Sequence, residues 1–234
     1  MTRPSRAAGR AGASGIPWAR IVSAMTARLA AEGARSPLPS VSAVALQNND
    51  PYRVLVATMI SLRTKDEVTR RAADSLLAAA PTPHALAALP EARIARLIYP
   101  AGFYRTKAKS LRATARALVE QHAGAVPSDM ERLLSLTGVG RKTANLVLNL
   151  GFGLPGICVD THVHRISNRM GWVATTGPEQ TERALMEILP KRYWITINEL
   201  LVRYGQRVCT PLSPHCSTCP VSRWCARAGV GRSR

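Results

Sequence analysis

Acidic side chains are scarce in this sequence. It holds 14 Asp and Glu against 32 Lys and Arg, a formal net charge of +18, and no acid occurs before Glu32 or after Glu199. Both ends are therefore purely cationic, which favours association with a polyanion while saying nothing about fold. No run of about 18 uncharged apolar residues exists, so a membrane-spanning helix is excluded, and the Arg-studded start lacks the apolar stretch of a signal peptide. These absences point to a cytoplasmic protein with no membrane partner, associated with the nucleoid if bacterial. Sustained apolar/polar alternation is missing too, which argues against strands, and no period of 20 to 50 residues marks a solenoid. Aromatic residues make up only 5% of the chain, with two Phe.

Apolar material is nonetheless sufficient. A chain of 234 residues with 46% hydrophobic composition can bury one large core or two modest ones. Residues 1–15 carry no large apolar side chain beyond the first Met and are expected to form a disordered basic arm. From Ile16 onward helical spacing dominates, so the predicted class is all-α, with about ten short helices. Asp50-Pro51 places a cap and a first-turn proline before Val54, Leu55 and Met59, while Thr64 with Glu67 and Ser128 with Glu131 have capping-box spacing. Gly177-Pro178 opens another helix, and two more are predicted over 91–99 and 105–122.

The most informative stretch is a predicted hairpin between helices. Leu133, Leu134 and Leu136 close one apolar helix, Gly138-Val139-Gly140 turns, and Ala144, Leu146, Val147 and Leu150 begin the next. Glycines let backbone amides approach a ligand, and the following helix start adds free N–H groups and a positive dipole end, a combination suited to phosphate. An ordinary tight helix connection would share this pattern. Arg141 and Lys142, however, put two cations where the macrodipole favours acids. Positive surroundings disfavour an ammonium, so Lys142 reads either as an activated amine or, with Arg141, as a phosphate contact. Asp160, eighteen residues on, precedes a helix through Val163 and Ile166. It reads as an N-cap that can also face Lys142.

Five cysteines are an odd set. Cys209, Cys216, Cys219 and Cys225 form C-x6-C-x2-C-x5-C, a metal-ligand spacing that by itself suits zinc or an iron-sulfur cluster equally. Cys158 is left over and reads as a buried thiol. Arg207, Arg223 and Arg227 surround the array without any acid, offering a basic rim.

Three segments in order, Leu-Thr-Gly-Val-Gly-Arg-Lys-Thr-Ala-Asn-Leu-Val-Leu-Asn (136–149), Val-Asp-Thr-His-Val-His-Arg-Ile (159–166) and the four-cysteine loop, resemble the endonuclease III family. The resemblance runs from about Asp50 to Cys225. That family comprises bifunctional DNA glycosylases of the helix-hairpin-helix superfamily. The resemblance implies two helical domains flanking a DNA cleft, a six-helix barrel over 45–154 and a discontinuous cluster domain of 16–44 plus 155–225; residues 226–234 are left as a basic tail. It implies a 4Fe-4S cluster on the four cysteines, Lys142 as Schiff-base nucleophile and Asp160 as catalytic carboxylate. Gly138, Val139, Gly140, Arg141 and His162 would contact DNA. The implied activity is base excision repair of oxidised pyrimidines with β-elimination at the abasic site, by a monomer acting on damaged double-stranded DNA.

Four positions depart from the family pattern. Arg63 stands where a gap-filling Gln is usual and Phe103 where a Leu wedge is common, which leaves Arg63 to contact the orphan base or a phosphate and Phe103 to stack in the duplex or, as the alternative, to pack in the core. Thr137 replaces a hairpin Pro, and Leu134 occupies a position that is acidic in some relatives. Two other readings remain: an adenine-mismatch glycosylase, which ordinarily lacks the nucleophilic lysine, and a non-catalytic DNA-binding module on the same scaffold.

Overall fold

A computed structural model describes residues 15–31, 33 and 38–234. The expected N-terminal arm therefore lies, apart from Gly15, outside the described residues. Among them are twelve α-helices and no strand. The helices are α1 (Trp18–Ala30), α2 (Ser40–Asn48), α3 (Pro51–Ser61), α4 (Asp66–Ala79), α5 (Pro83–Ala88), α6 (Glu91–Ile98), α7 (Tyr104–His122), α8 (Met130–Ser135), α9 (Arg141–Leu146), α10 (Thr161–Met170), α11 (Pro178–Ile188) and α12 (Ile197–Arg207). The fold class is all-α.

Two hydrophobic clusters organise these helices. The larger takes apolar faces from α2 through α9, with Val41, Leu55, Ile60, Leu76, Ile94, Leu111 and Val147 inside it. The smaller joins α1 to α10, α11, α12 and the cysteine loop through Trp18, Ile21, Ile166, Leu185, Leu201 and Val221. In α7 the buried positions Lys107, Ala108, Leu111, Ala115 and Leu118 recur at three and four residues, the stripe of a helix packed on one side. The same spacing buries Val163, Ile166 and Met170 of α10.

Several boundaries differ from the sequence-based expectation. Residues 40–44 begin α2, and Val41 and Val44 pack in the larger cluster rather than with α1. The reason is a contact 26 residues away: Asp66, at the start of α4, accepts both the backbone N–H and the hydroxyl of Ser40, at 3.2 and 2.9 Å. Neither capping box forms as spaced. Lys65 is the N-cap of α4, and Asp129, not Ser128, caps α8 by accepting from the Arg132 N–H at 2.8 Å. Residues 226–234 fold back on the cysteine loop, with Arg234 N–H donating to Pro214 at 2.8 Å and Ala228 N–H to Arg169 at 3.1 Å.

A π-helical turn, Val147–Gly151, continues α9. A Cβ at Gly151 would fall 2.8 Å from Pro51 Cα, so glycine there lets this turn touch the start of α3. Asp50 secures that start, accepting from the Tyr52 N–H at 2.8 Å ahead of Pro51. Asp50→Ala should cost about 1 kcal/mol of stability, read as a lowered urea midpoint with unchanged slope.

Candidate active site

The hairpin between α8 and α9 is set by two different glycines. Gly138 has φ +79°, and a Cβ would lie 3.0 Å from Ser110 Cβ, so both backbone and packing require glycine. Thr114 of α7 donates to the Thr137 carbonyl at 2.7 Å and fixes the turn to the larger cluster. Gly140 is different: its φ is −102° and a Cβ would meet nothing within 4 Å. No contact inside the protein calls for glycine there, whereas close approach by something outside would. Val139 is buried, and its N–H donates to Leu136 at 3.1 Å, so its side chain and amide both face inward.

Lys142 and Asp160 meet across the gap between the two clusters. Asp160 caps α10 with one oxygen: Oδ1 accepts the N–H groups of His162 and Val163, each at 2.9 Å. Its other oxygen, Oδ2, lies 3.8 Å from Lys142 Nζ. The lysine side chain is 40% exposed and the aspartate 10%, so the amine can be reached from outside while the carboxylate behind it is largely dry. The capping bonds orient the carboxylate, and the amine's counter-charge is one that hairpin sequence alone does not reveal.

Arg141 turns the other way. Its guanidinium grips Glu182 of α11 at 2.8 and 3.2 Å, and Asn145 Nδ2 donates to the same carboxylate at 3.2 Å. Glu182 and Asn145 carry no signal in the sequence that separates them from ordinary helix residues. A cavity of about 200 Å³ on one side of Lys142 is lined by Ser61, Thr64, Asp66, Asp160 and His162. A wider one of about 600 Å³ on the other side is lined by Arg63, Arg141, Asn145, Asp160 and Glu182. Arg63 and Phe103 are exposed on neighbouring loops, with the guanidinium carbon 5.6 Å from the ring centroid. Leu134 is also exposed.

The four cysteines of the C-terminal array line one cavity, closed by Ile166, Met170, Tyr204, Val208 and Val221. All are free thiols. Among the described residues no three His, Cys, Asp or Glu side chains converge as a single metal ion requires; the sulfurs instead stand around the cavity wall. Donors lie near three of the sulfurs: Arg169 Nη1 is 3.5 Å from Cys209 Sγ, the Arg227 N–H donates to Cys225 Sγ at 3.4 Å, and Tyr204 Oη is 3.1 Å from Cys219 Sγ, while the Cys225 thiol itself donates to the Arg169 carbonyl at 3.3 Å. The donor set and the apolar walls fit an iron-sulfur cluster. Cys158 is fully buried apart from this array, and burial raises its thiol pKa, so it stays protonated and inert.

The all-helical fold thus carries a glycine hairpin with a lysine and an aspartate facing each other in the gap between the two clusters. A profile of the HhH-GPD superfamily base excision DNA repair protein matches residues 56–191. Endonuclease III of Thermotoga maritima is 46% identical over 191 residues, covering 80% of this chain and 90% of that one. Chloroplastic endonuclease III homolog 2 of Arabidopsis thaliana is 45% identical over 186 residues, covering 76% of this chain, which spans about half (48%) of the plant protein's length. A solved trapped endonuclease III-DNA covalent intermediate, in an estranged-adenine complex, superposes with a TM-score of 0.72 at 34% identity, covering 76% of this chain and 84% of that one. The chain belongs to the HhH-GPD superfamily and, within it, to the endonuclease III family of DNA glycosylases. Among the described residues no helix is long and apolar enough to cross a membrane.

His162 offers a check on cleft burial. Desolvation, the largest cause, lowers its imidazole below the ordinary 6.5, with Asp160 opposing and Arg165 and Lys142 reinforcing. Below about pH 6.5 the unfolded chain takes up a proton that the folded ring resists, so this group's contribution falls as pH drops from there to the lowered folded value. His162→Gln should therefore narrow the loss of thermal stability between pH 7.5 and pH 5.

Proposed function

We propose that this protein excises oxidised pyrimidines from double-stranded DNA and then cuts the strand at the abasic site, with Lys142 as nucleophile and Asp160 as its carboxylate partner. The observation that carries this reading is the approach of Lys142 Nζ to Asp160 Oδ2, 3.8 Å apart beside the glycine hairpin. A flipped-out nucleotide brings its C1′ to the amine. Once the amine has given a proton to Asp160 or water, it attacks C1′. The bond from C1′ to the base breaks, and its electron pair leaves on the base, which takes up a proton. Opening of the sugar gives an iminium between Lys142 and C1′, and loss of a C2′ proton then expels the 3′ phosphate. Gly140 and the first N–H groups of α9 would hold a neighbouring phosphate.

Cys209, Cys216, Cys219 and Cys225 would hold a 4Fe-4S cluster, which would tie the loop after α12 to itself against the walls given by α10 and α12 and supply a redox-capable centre away from the cleft. The two hydrophobic clusters support a reading of two domains, the barrel running from Ser40 to about residue 154 and the cluster domain taking α1 with 155–225. The folded-back residues 226–234 would complete the rim of the cysteine loop.

Two experiments test this. Borohydride should trap a covalent complex between the protein and abasic-site DNA, and Lys142→Gln should abolish it; absence of trapping with the unsubstituted protein would overturn the assignment. Separately, Cys216→Ala should remove visible iron-sulfur absorption from the purified protein, and a full spectrum in that variant would defeat the ligand set.

A further inference from the structure

Lys107 takes no part in the chemistry above, yet it is among the most completely bonded side chains in the protein. It lies in the second turn of α7, only 9% exposed. Its Nζ donates to the Ile60 carbonyl at 2.6 Å, the Leu62 carbonyl at 2.5 Å and Thr64 Oγ1 at 2.7 Å. An ammonium has three donors and no acceptor, and all three donors are used. Their targets belong to one place, the end of α3 and the loop after it, where final carbonyls lack helical partners and the dipole favours a cation. Desolvation lowers the pKa of this amine to about 8, so burying it works against the charged form its three acceptors need.

Thr64 ties that loop to a second one. Its hydroxyl accepts from Lys107, accepts from the Gly102 N–H at 3.1 Å, and lies 3.4 Å from the Leu62 carbonyl. Two acceptances and one donation fill the capacity of a hydroxyl. At Gly102 the loops touch backbone to backbone, since a Cβ there would fall 2.4 Å from the Arg63 carbonyl oxygen. The residues beside this junction, Arg63 and Phe103, both have positive φ, +53° and +56°. Left-handed backbone at a non-glycine residue is strained and persists only where surroundings over-determine it. Here the result is two exposed side chains held side by side, Phe103 being 62% exposed.

We propose that Lys107 is a positioning residue that clasps the Arg63 loop to the Phe103 loop through Thr64, so that both side chains enter the base stack as one rigid wedge. This rests on the glycosylase reading given above. Insertion is needed to displace a stacked base from a duplex, but not to cleave a sugar already without a base in a single strand. Loss of the clasp therefore has a selective signature.

The test uses Lys107→Met, which keeps the apolar stem without the donors, and Lys107→Gln, which keeps a polar end but cannot reach all three acceptors. Each is assayed in single-turnover excision from a thymine glycol duplex and in cleavage of a single-stranded abasic oligonucleotide. Fluorescence of 2-aminopurine opposite the lesion reports disturbance of the stack. Excision from duplex should fall by roughly tenfold or more with loss of the fluorescence rise, while single-strand cleavage stays within about twofold of the unsubstituted protein. Equal loss in both assays, or full duplex activity, in the variant that folds would overturn the clasp; should Lys107→Met fail to fold, Lys107→Gln decides. If the unsubstituted protein cleaves neither substrate, the glycosylase reading fails instead.

Discussion

Glu182 carries its carboxylate in a place where charge is hard to keep. Its side chain is 5% exposed, and the attraction that offsets its desolvation comes from Arg141 and Asn145, one turn apart on α9. Losing one partner of a fully buried pair costs roughly 3 to 5 kcal/mol, and on the order of half that where, as for Arg141, one partner keeps solvent around it. What matters more is direction. Glu182 belongs to α11 of the smaller cluster and Arg141 to the helix after the hairpin, so this pair fixes the turn that ends at residue 140 against the other half of the molecule. Lys142 is the next residue along and faces α10, where Asp160 waits. Two ion pairs on adjacent residues thus point to two helices of the opposite cluster, and the first constrains where the second can form.

Much of this was legible along the chain, and the reason is that its signals are local. The glycine turn, the cap at Asp160, the proline starts at Pro51 and Pro178 and the apolar stripe of α7 each depend on residues a few positions apart. The elements that escaped sequence reading depend on distant partners. Lys107 binds the end of α3 across more than forty residues, Glu182 meets Arg141 across 41, and either would pass for a solvated charge on a helix face. The membership of α2 was missed for the same reason: its apolar pattern cannot say which cluster it joins, and Asp66, 26 residues later, decides by binding Ser40. Arg141 is the clearest case of a half-read residue. The sequence shows a cation opposed to the helix dipole, but not the carboxylate that answers it.

The scarcity of acids acquires a structural meaning once their positions are known. Asp50, Asp129 and Asp160 cap helices, Asp66 anchors α2, Glu182 holds the hairpin helix, and Glu91 and Glu199 lie beside Arg112 and Arg203 at 3.9 and 3.7 Å. Each of these carboxylates sits against a backbone N–H, a hydroxyl or a guanidinium and offers little free negative charge to a ligand. The cationic surplus, by contrast, is spread over exposed arginines, including Arg63 at the cleft and Arg223 on the cysteine loop, whose guanidinium carbon lies 4.0 Å from the Trp224 ring centroid. Exposed acids such as Asp74, Glu131 and Glu187 remain, but exposed arginines outnumber them, so the surface as a whole attracts a polyanion. Asp160 shares the cleft with Asp66 and Glu182, and two backbone amides and the Lys142 amine together balance its charge. The two amide contacts that make it a cap both use Oδ1 and leave Oδ2 as the oxygen turned toward the amine, so structural and chemical roles are divided between two atoms of a single side chain.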